Sequence, residues 1–264
     1  MSAIVIIPSR YQSSRFPGKP LSLLLGKPMI QHVYERSRAA RLIKDVFVAT
    51  DSRLIYDTVL GFGGKAVMTS DKHASGTDRI AEAGLAIREM GHEADIIVNV
   101  QGDEPMIAPE MIDEVTALME DDRAGIGTLV KKIETAADIL DPNVVKAVFN
   151  EECFALYFSR SPIPYNRDIF SAEAWTREST AGTDSLKSGL VMFKHIGIYA
   201  FRADVLMRFS KLPPSRLEET EKLEQLRALE NGIAIKVKET IYETIGVDTP
   251  MDLKRVEKCL SISS

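Results

Sequence analysis

Cysteine is scarce in this sequence: its 264 residues include two, Cys153 and Cys259, which stand far apart and outside any metal-ligand spacing. Two such residues form neither a disulfide framework nor a zinc site, and this usage fits a reducing compartment. Long apolar runs are missing as well. No stretch is long enough to span a bilayer, and the run Ile4–Ile7 is too short for a signal peptide and is ended by Pro8. We therefore expect a cytoplasmic protein with no membrane contact.

An excess of positive charge is also absent, because 33 lysines and arginines face 38 aspartates and glutamates, for a net charge of −5. No global positive field draws the chain to nucleic acid, so we expect no nucleic-acid partner. Any bound anion must be held by local basic groups. The length and the 45% share of hydrophobic residues suffice for a continuous core, and we predict a single domain over residues 1–264.

Short β-branched runs alternate with amphipathic segments of helical length along the first half of the chain. This β-α-β-α order predicts an α/β fold with a doubly wound, mostly parallel sheet. The predicted strands are Ala3–Ile7, Val46–Ala49, Lys65–Met68, Asp95–Val100, Gly127–Val130, Val144–Phe149, Phe154–Phe158, His195–Phe201 and Ile233–Val237. The predicted helices are Pro28–Arg41, Arg53–Phe62, Thr77–Met90, Pro109–Glu120, Leu217–Glu230 and Met251–Leu260.

Two regions depart from this alternation. Residues 131–165 have the pattern of adjacent strands and turns, which predicts an antiparallel part and hence a mixed sheet. Residues 166–194 are polar and aperiodic and hold the single tryptophan, Trp175. A loop of that length is typical of a lid, an arm or a disordered segment.

A basic loop follows the first predicted strand and packs Arg10, Arg15 and Lys19 into ten residues. In an open α/β sheet, ligands bind outside the carboxyl ends of the strands, where this loop lies. Gly18 allows the backbone to approach a ligand closely, and three cations on one loop suit a triphosphate. The loop matches neither GxxxxGK[ST] nor GxGxxG. The alternative is a solvated basic turn.

Two acidic turns contain glycine and are closed by proline. Asp103 lies in Gly102-Asp103-Glu104-Pro105, after a strand, and Asp248 lies in Gly246-Val247-Asp248-Thr249-Pro250. Magnesium prefers hard oxygen ligands and commonly takes one or two carboxylates together with phosphate oxygens and water. We therefore predict that Asp103 and Asp248 jointly hold Mg²⁺. The alternative for Asp248 is an N-cap of the following helix.

Nine segments, in order and over nearly the whole chain, resemble the 3-deoxy-manno-octulosonate (Kdo) cytidylyltransferases, also called CMP-Kdo synthetases. The opening and the QGDEP segment are shared with other sugar nucleotidyltransferases, whereas their combination with HIGIY and LEQLR is more specific. The segments are Ile6–Tyr11, Ser14–Leu21, Ala49–Asp51, Ser75–Arg79, Asn99–Pro105, Tyr157–Arg160, His195–Tyr199, Leu223–Arg227 and Gly246–Pro250.

This resemblance implies a Rossmann-like nucleotidyltransferase fold with a dimerisation region. It further implies CTP and Kdo as substrates, CMP-Kdo and pyrophosphate as products, Mg²⁺ as cofactor, and a homodimer that serves lipopolysaccharide biosynthesis. Residues 131–201 would form a sugar-binding and dimerisation subregion. One departure is the 166–194 segment, which is longer than the family pattern leads us to expect.

The resemblance also assigns roles to residues. Arg10 and Lys19 would hold the triphosphate, assisted by Arg15, and with Asp103 and Asp248 they form the predicted catalytic group. Cytosine would lie near Ser9, Ser75 and Gln101, although Ser75 could equally be an N-cap ahead of its helix. The sugar would be bound by Arg160, His195, Tyr199, Glu221, Glu224 and Gln225. Within the predicted helix Leu217–Glu230, the last three share one stripe by helical spacing, which is otherwise typical of a solvated face.

Two alternatives remain open at this stage. The first keeps the enzyme class and changes the acceptor to an amino-substituted Kdo or a sialic-type acid. The second is a nucleotide-binding regulator without turnover. The presence of both Asp103 and Asp248 argues against the regulator, because a binding module does not need a second metal carboxylate. No Ser-His-Asp or Cys-His arrangement indicates a covalent intermediate, and no general base is apparent.

Overall fold

The structure is a computed structural model that describes residues 1–12, 16–73, 75–167 and 191–262. Arg15, part of the basic loop, and most of the 166–194 segment lie outside the described residues. The strands are β1 Ala3–Ser9, β2 Leu23–Leu24, β3 Lys27–Pro28, β4 Ile43–Thr50, β5 Lys65–Met68, β6 Ile96–Asn99, β7 Ile126–Lys132, β8 Lys146–Phe149, β9 Ala155–Ser159, β10 Phe193–Arg202 and β11 Ile235–Glu239. The helices are α1 Met29–Arg38, α2 Arg53–Gly61, α3 Gly76–Glu89, α4 Pro109–Ala117, α5 Ala136–Leu140, α6 Ala203–Phe209, α7 Arg216–Glu221, α8 Gln225–Glu230 and α9 Pro250–Ile262.

One mixed sheet organises the described residues. Seven strands follow the order β11-β7-β10-β6-β1-β4-β5, and β8 extends from β10 with β9 at its outer edge. Strand β1 pairs in parallel with β4 and β6, while β10 runs antiparallel to β6, β7 and β8. The predicted doubly wound, mostly parallel sheet with an antiparallel part is confirmed.

Apolar side chains cover both faces of the sheet, as the unbroken apolar runs of the early strands predict. Val5 and Ile7 of β1 belong to the core on the face of α1, α2 and α4, and Ile4 and Ile6 belong to the core on the face of α3 and α6. All four side chains are almost fully buried. Because β1, β4, β5 and β6 pair in parallel, their carboxyl ends share one edge of the sheet. No helix among the described residues has both the length and the apolar character needed to cross a bilayer.

The predicted helix Leu217–Glu230 is wrong, because the structure has two short helices there, α7 and α8. The chain breaks at Lys222, whose φ of 54° is left-handed. The Arg160 guanidinium explains the break: its Nε donates to the Glu221 carbonyl at 2.7 Å and its Nη2 to the Lys222 carbonyl at 3.4 Å. Tertiary hydrogen bonds thus override the helical spacing of the sequence. The predicted shared stripe of Glu221, Glu224 and Gln225 does not exist.

Candidate active site

The basic loop and the first acidic turn meet at the carboxyl edge because their strands, β1 and β6, are parallel neighbours. The contact requires a glycine at position 102 of this acidic turn. A Cβ on Gly102 would lie 2.8 Å from the Pro8 carbonyl oxygen, closer than backbone packing tolerates. Gly102 therefore brings Asp103 against the end of β1.

Lys19 reaches both acidic turns from the basic loop. Gly18 precedes it with a φ of 69°, a conformation that favours glycine, and donates its N–H to the Tyr11 carbonyl at 2.9 Å. The Lys19 Nζ lies 2.8 Å from Asp103 Oδ2 and 3.4 Å from Asp248 Oδ1. The two predicted metal carboxylates, far apart in sequence, thus both contact the same ammonium group.

Asp248 is held there by the chain on either side of it. The Val247 N–H donates to the Asp103 carbonyl at 2.9 Å, and its own carbonyl accepts from Lys19 Nζ at 2.7 Å. The Val247 side chain is fully buried in a small cluster that joins the β2–β3 hairpin to α9. Apolar packing of the C-terminal helix therefore fixes where this turn points.

The alternative role of Asp248 as the helix cap belongs to Thr249 instead. The Thr249 hydroxyl accepts from the Asp252 N–H at 3.3 Å, and the Asp252 carboxylate accepts from the Asp248 and Thr249 N–H groups at 3.1 and 2.8 Å. This reciprocal pattern is that of a capping box. The Asp248 carboxylate faces Lys19, so helix capping does not account for it.

The donor set fits magnesium. Asp103 and Asp248 both contact Lys19 and supply carboxylate oxygens, the hard ligands that magnesium prefers. A site with two carboxylates leaves the remaining positions for phosphate oxygens and water, which is how magnesium is commonly held beside nucleotides.

A cavity of about 280 Å³ opens at this edge. Of the eight residues predicted to bind nucleotide or metal, seven line it, and the eighth, Arg15, lies outside the described residues. The seven are Ser9, Arg10, Lys19, Ser75, Gln101, Asp103 and Asp248. The Ser9 hydroxyl is buried and has no hydrogen-bond partner among the described residues. A buried polar atom in that state is suited to a ligand contact.

Ser75 caps a helix and also lines the cavity. It is the N-cap of α3, and its hydroxyl accepts from the Asp78 N–H at 3.1 Å. It also lines the cavity and is hydrogen-bonded to the Glu224 side chain, which accepts from the Thr77 hydroxyl as well. Burial raises the pKa of Glu224 above its ordinary value, and these hydrogen bonds oppose the rise. Glu224 does not line the cavity itself, but it is linked to the cavity wall through Ser75.

Sequence reasoning assigned no role to Arg79, which also lines the cavity. Its guanidinium is buried, donates to Asp51 Oδ2 at 2.7 Å and donates to the Thr69 hydroxyl at 2.6 Å. His73, on the same wall, contacts the Glu82 carboxylate. The sequence did contain a pattern that could have identified Arg79. The segments Ala49–Asp51 and Ser75–Arg79 both belong to the family pattern, and they end in the two residues of this ion pair.

His195 and Tyr199 lie on β10 and are not among the residues that line the cavity. Tyr199 pairs with Asn99 at the end of β6, so the earlier residues of β10 extend beyond the carboxyl edge. Although part of the His195 side chain reaches solvent, burial against its neighbours lowers the pKa of the imidazole to about 4. Burial, and then the Glu224 charge, raises the pKa of Tyr199. Both rings are therefore neutral at neutral pH.

Arg160 and Glu221 contact each other at the end of β9. The Glu221 carboxylate accepts from the Ser159 hydroxyl at 2.7 Å and from the Arg160 N–H at 2.9 Å. The Arg160 guanidinium donates to three carbonyls, including that of Pro142 at 2.8 Å, which leaves two of its five N–H donors. Gln225 is buried. Glu221 and Glu224 thus have different hydrogen-bond partners: Glu221 binds the end of β9, and Glu224 binds the start of α3. A sugar contact by Arg160 would use its two remaining N–H donors.

Comparisons with known proteins agree with this geometry. The family model described as "Cytidylyltransferase" matches residues 4–241. A 3-deoxy-manno-octulosonate cytidylyltransferase from Thermodesulfovibrio yellowstonii is 52% identical, with all of both chains covered. The enzyme of the same name from Geobacter sulfurreducens is 53% identical over 97% of this chain and 98% of its own.

A solved structure extends the likeness to three dimensions. A CMP:2-keto-3-deoxy-manno-octonic acid synthetase complexed with CTP matches over the full length of both chains, at 42% identity and a TM-score of 0.87. Sequence and structure therefore agree at levels well above those that indicate a shared fold alone. This chain belongs to the 3-deoxy-manno-octulosonate cytidylyltransferase family.

Proposed function

We propose that this chain transfers the cytidylyl group of CTP to Kdo, giving CMP-Kdo and pyrophosphate. The observation that carries the proposal is the convergence of Lys19 with Asp103 and Asp248 on the wall of a cavity of about 280 Å³. The family membership supports the choice of CTP and Kdo. A regulator without turnover has no need for two carboxylates aimed at one point beside a lysine.

The reaction is an in-line displacement at the α-phosphorus of CTP. A bond forms between the anomeric oxygen of the sugar and phosphorus, the bond to the bridging oxygen breaks, and pyrophosphate leaves with the electron pair. The hydroxyl proton is released to solvent. Catalysis then rests on positioning and charge neutralisation, to which Arg10 and Lys19 contribute by holding the phosphates.

Asp103 and Asp248 would hold the Mg²⁺. When bound, that ion would shield the triphosphate and stabilise charge on the leaving pyrophosphate. The two carboxylates also keep Lys19 in place, since its Nζ makes contacts of 2.8 and 3.4 Å with them. The chain therefore positions a cation at the phosphate end of the cavity before a substrate arrives.

The sugar would lie between the cavity and strand β10. Glu224 is hydrogen-bonded to Ser75, which lines the cavity, and its charge acts on Tyr199 of β10. Its Oε1 is buried, accepts no hydrogen bond from a described residue and lies 4.0 Å from the Arg227 guanidinium. A buried acceptor of this kind suits a sugar hydroxyl. His195 and Tyr199 would complete that side, Glu221 and Gln225 would support it, and Arg160 would face the carboxylate of the sugar.

A homodimer formed through residues 131–201 is part of the proposal. Strand β9 is one edge of the sheet in the described residues, and an edge strand offers unpaired backbone groups to another chain, which supports an interface there. Light scattering of the eluting protein would report the mass. A monomer at all concentrations would contradict this part. A cytoplasmic enzyme that supplies lipopolysaccharide biosynthesis follows from the same family pattern.

The sugar is tested by comparing acceptors. The protein is incubated with labelled CTP, Mg²⁺ and, separately, Kdo, an amino-substituted Kdo and a sialic-type acid, and pyrophosphate release gives kcat/KM for each. We expect Kdo to have the highest value. A higher kcat/KM for either of the others would change the acceptor, and CTP binding without release with any sugar would favour the regulator.

A further inference from the structure

Thr128, a fully buried residue of β7, lies beside His195 on the neighbouring strand. The pairing of β7 with β10 shifts register between Ile196 and Tyr199, and Thr128 stands opposite that irregularity. Its hydroxyl oxygen lies 2.8 Å from the Ile198 carbonyl, 3.2 Å from the Ile196 carbonyl and 3.0 Å from His195 Nε2. Three polar atoms thus converge on one hydroxyl.

The positions of the protons follow from what each atom can donate. A hydroxyl carries one proton, and carbonyl oxygens can only accept. The Thr128 proton therefore goes to the carbonyls, the closer of which is Ile198, and the hydroxyl oxygen must accept from His195 Nε2. In the opposite tautomer, with the proton on Nδ1, the bare Nε2 could only accept, so the Thr128 hydroxyl would have to donate to it. The hydroxyl would then face the two carbonyl oxygens with its lone pairs and lose its hydrogen bond to them. Losing one buried hydrogen bond in this way biases the tautomer ratio by about tenfold or more.

The His195 ring is also fixed in orientation. It lies edge-on to Phe158, with ring centroids 5.2 Å apart and planes at 77°, and it is 5.3 Å from the Tyr199 ring. Burial keeps the imidazole neutral, because its pKa is lowered to about 4. With the proton on Nε2, the Nδ1 atom is an acceptor, and no described residue donates a hydrogen bond to it.

We propose that Thr128 is a positioning residue that holds His195 in its Nε2–H tautomer, so that Nδ1 accepts a hydrogen bond from a hydroxyl of the acidic sugar. The sugar contact rests on the proposed function, whereas the tautomer does not. A histidine fixed in this way discriminates between sugars, since an analogue without that hydroxyl leaves Nδ1 unpaired. Thr128 itself does not need to touch the substrate.

Nitrogen NMR of the free protein tests the tautomer directly. In ¹⁵N-histidine-labelled protein at neutral pH, long-range proton–nitrogen spectra distinguish a protonated ring nitrogen from a bare one. The chain has four histidines, and the His195→Gln variant identifies the signals of His195. We expect a protonated Nε2 and a bare Nδ1 in the wild type and in Thr128→Ser, which keeps the hydroxyl. In Thr128→Val we expect a mixture that contains the Nδ1–H tautomer.

Kinetics of the same variants test the sugar contact. Thr128→Val should raise KM for Kdo by about tenfold with little change in KM for CTP, and Thr128→Ser should restore it. A wild-type Nδ1–H tautomer, or unchanged nitrogen signals in Thr128→Val, would overturn the inference, as would an altered tautomer with unchanged Kdo kinetics. A wild-type protein inactive with every acidic sugar would instead refute the proposed function, and the spectra of the free protein would still decide the tautomer.

Discussion

Replacing Asp248 by Asn should abolish most turnover while leaving the fold intact. The change removes one formal charge with little change in volume. Asp248 is half-exposed and its contact with Lys19 is 3.4 Å long, so the ion pair contributes at most about 1 kcal/mol to stability. A loss of that size lowers Tm by about 2–4 °C. Metal-assisted charge stabilisation is worth several kcal/mol, and about 3 kcal/mol corresponds to roughly a hundredfold in kcat.

The assay is kcat against Mg²⁺ concentration for wild type, Asp103→Asn, Asp248→Asn and the double variant. If both carboxylates hold one ion, the double variant should be scarcely worse than either single one, because groups that act as a unit are non-additive. Thr249→Ala is the matched control. It removes the helix cap of the adjacent residue, and should cost about 1 kcal/mol of stability with kcat close to wild type. A near-wild-type Asp248→Asn enzyme would refute the shared site and leave Asp103 as the only protein ligand.

Three further predictions follow from individual contacts. Arg160→Ala should raise KM for Kdo far more than KM for CTP, and should lower Tm because three carbonyls lose their donor; unchanged Kdo kinetics in a folded variant would make Arg160 purely structural. Gly102→Ala should strongly reduce activity and Tm, because its Cβ would lie 2.8 Å from the Pro8 carbonyl, whereas Gly246→Ala, with open space around it, should be nearly silent; equal effects of the two would contradict the packing argument. Because burial holds the His195 pKa at about 4, below the unfolded value of 6.5, protons bind preferentially to the unfolded chain. The free energy of unfolding of wild type should therefore fall relative to His195→Gln as pH drops from about 6.5 to about 4, and urea denaturation curves with no such divergence would contradict the assignment.

The sheet and its nucleotide edge were predictable because their signals are local. Apolar runs such as Ile4–Ile7 predict buried parallel strands, and parallel strands bring their following loops to one edge. Lys19 and Asp103 are both loop residues after such strands, so their meeting at 2.8 Å follows from topology. The prediction that Asp248 joins Asp103 came from its glycine-containing turn closed by proline and from the ligands that magnesium prefers, and the turn also belongs to the family pattern.

The parts that sequence reasoning missed depend on tertiary contacts. The break at Lys222 arises from hydrogen bonds made by Arg160, more than sixty positions earlier, and no helical spacing reveals it. The bond between Thr128 and His195 requires the exact pairing of β7 with β10, including its irregularity. Periodicity predicts that such strands exist, but it does not give their register.

Phosphorus NMR of a complete reaction follows the proposed transfer of the cytidylyl group from CTP to Kdo. Purified protein is mixed with CTP, Kdo and Mg²⁺, and the spectrum is followed with time beside a sample of Asp103→Asn. We expect the three CTP signals to be replaced by one phosphodiester signal of CMP-Kdo and one signal of pyrophosphate, with the two products in equal molar amounts. The variant should react far more slowly. CTP that binds but persists unchanged with Kdo and Mg²⁺, or CTP that yields CMP or CDP without a sugar phosphodiester, would contradict it.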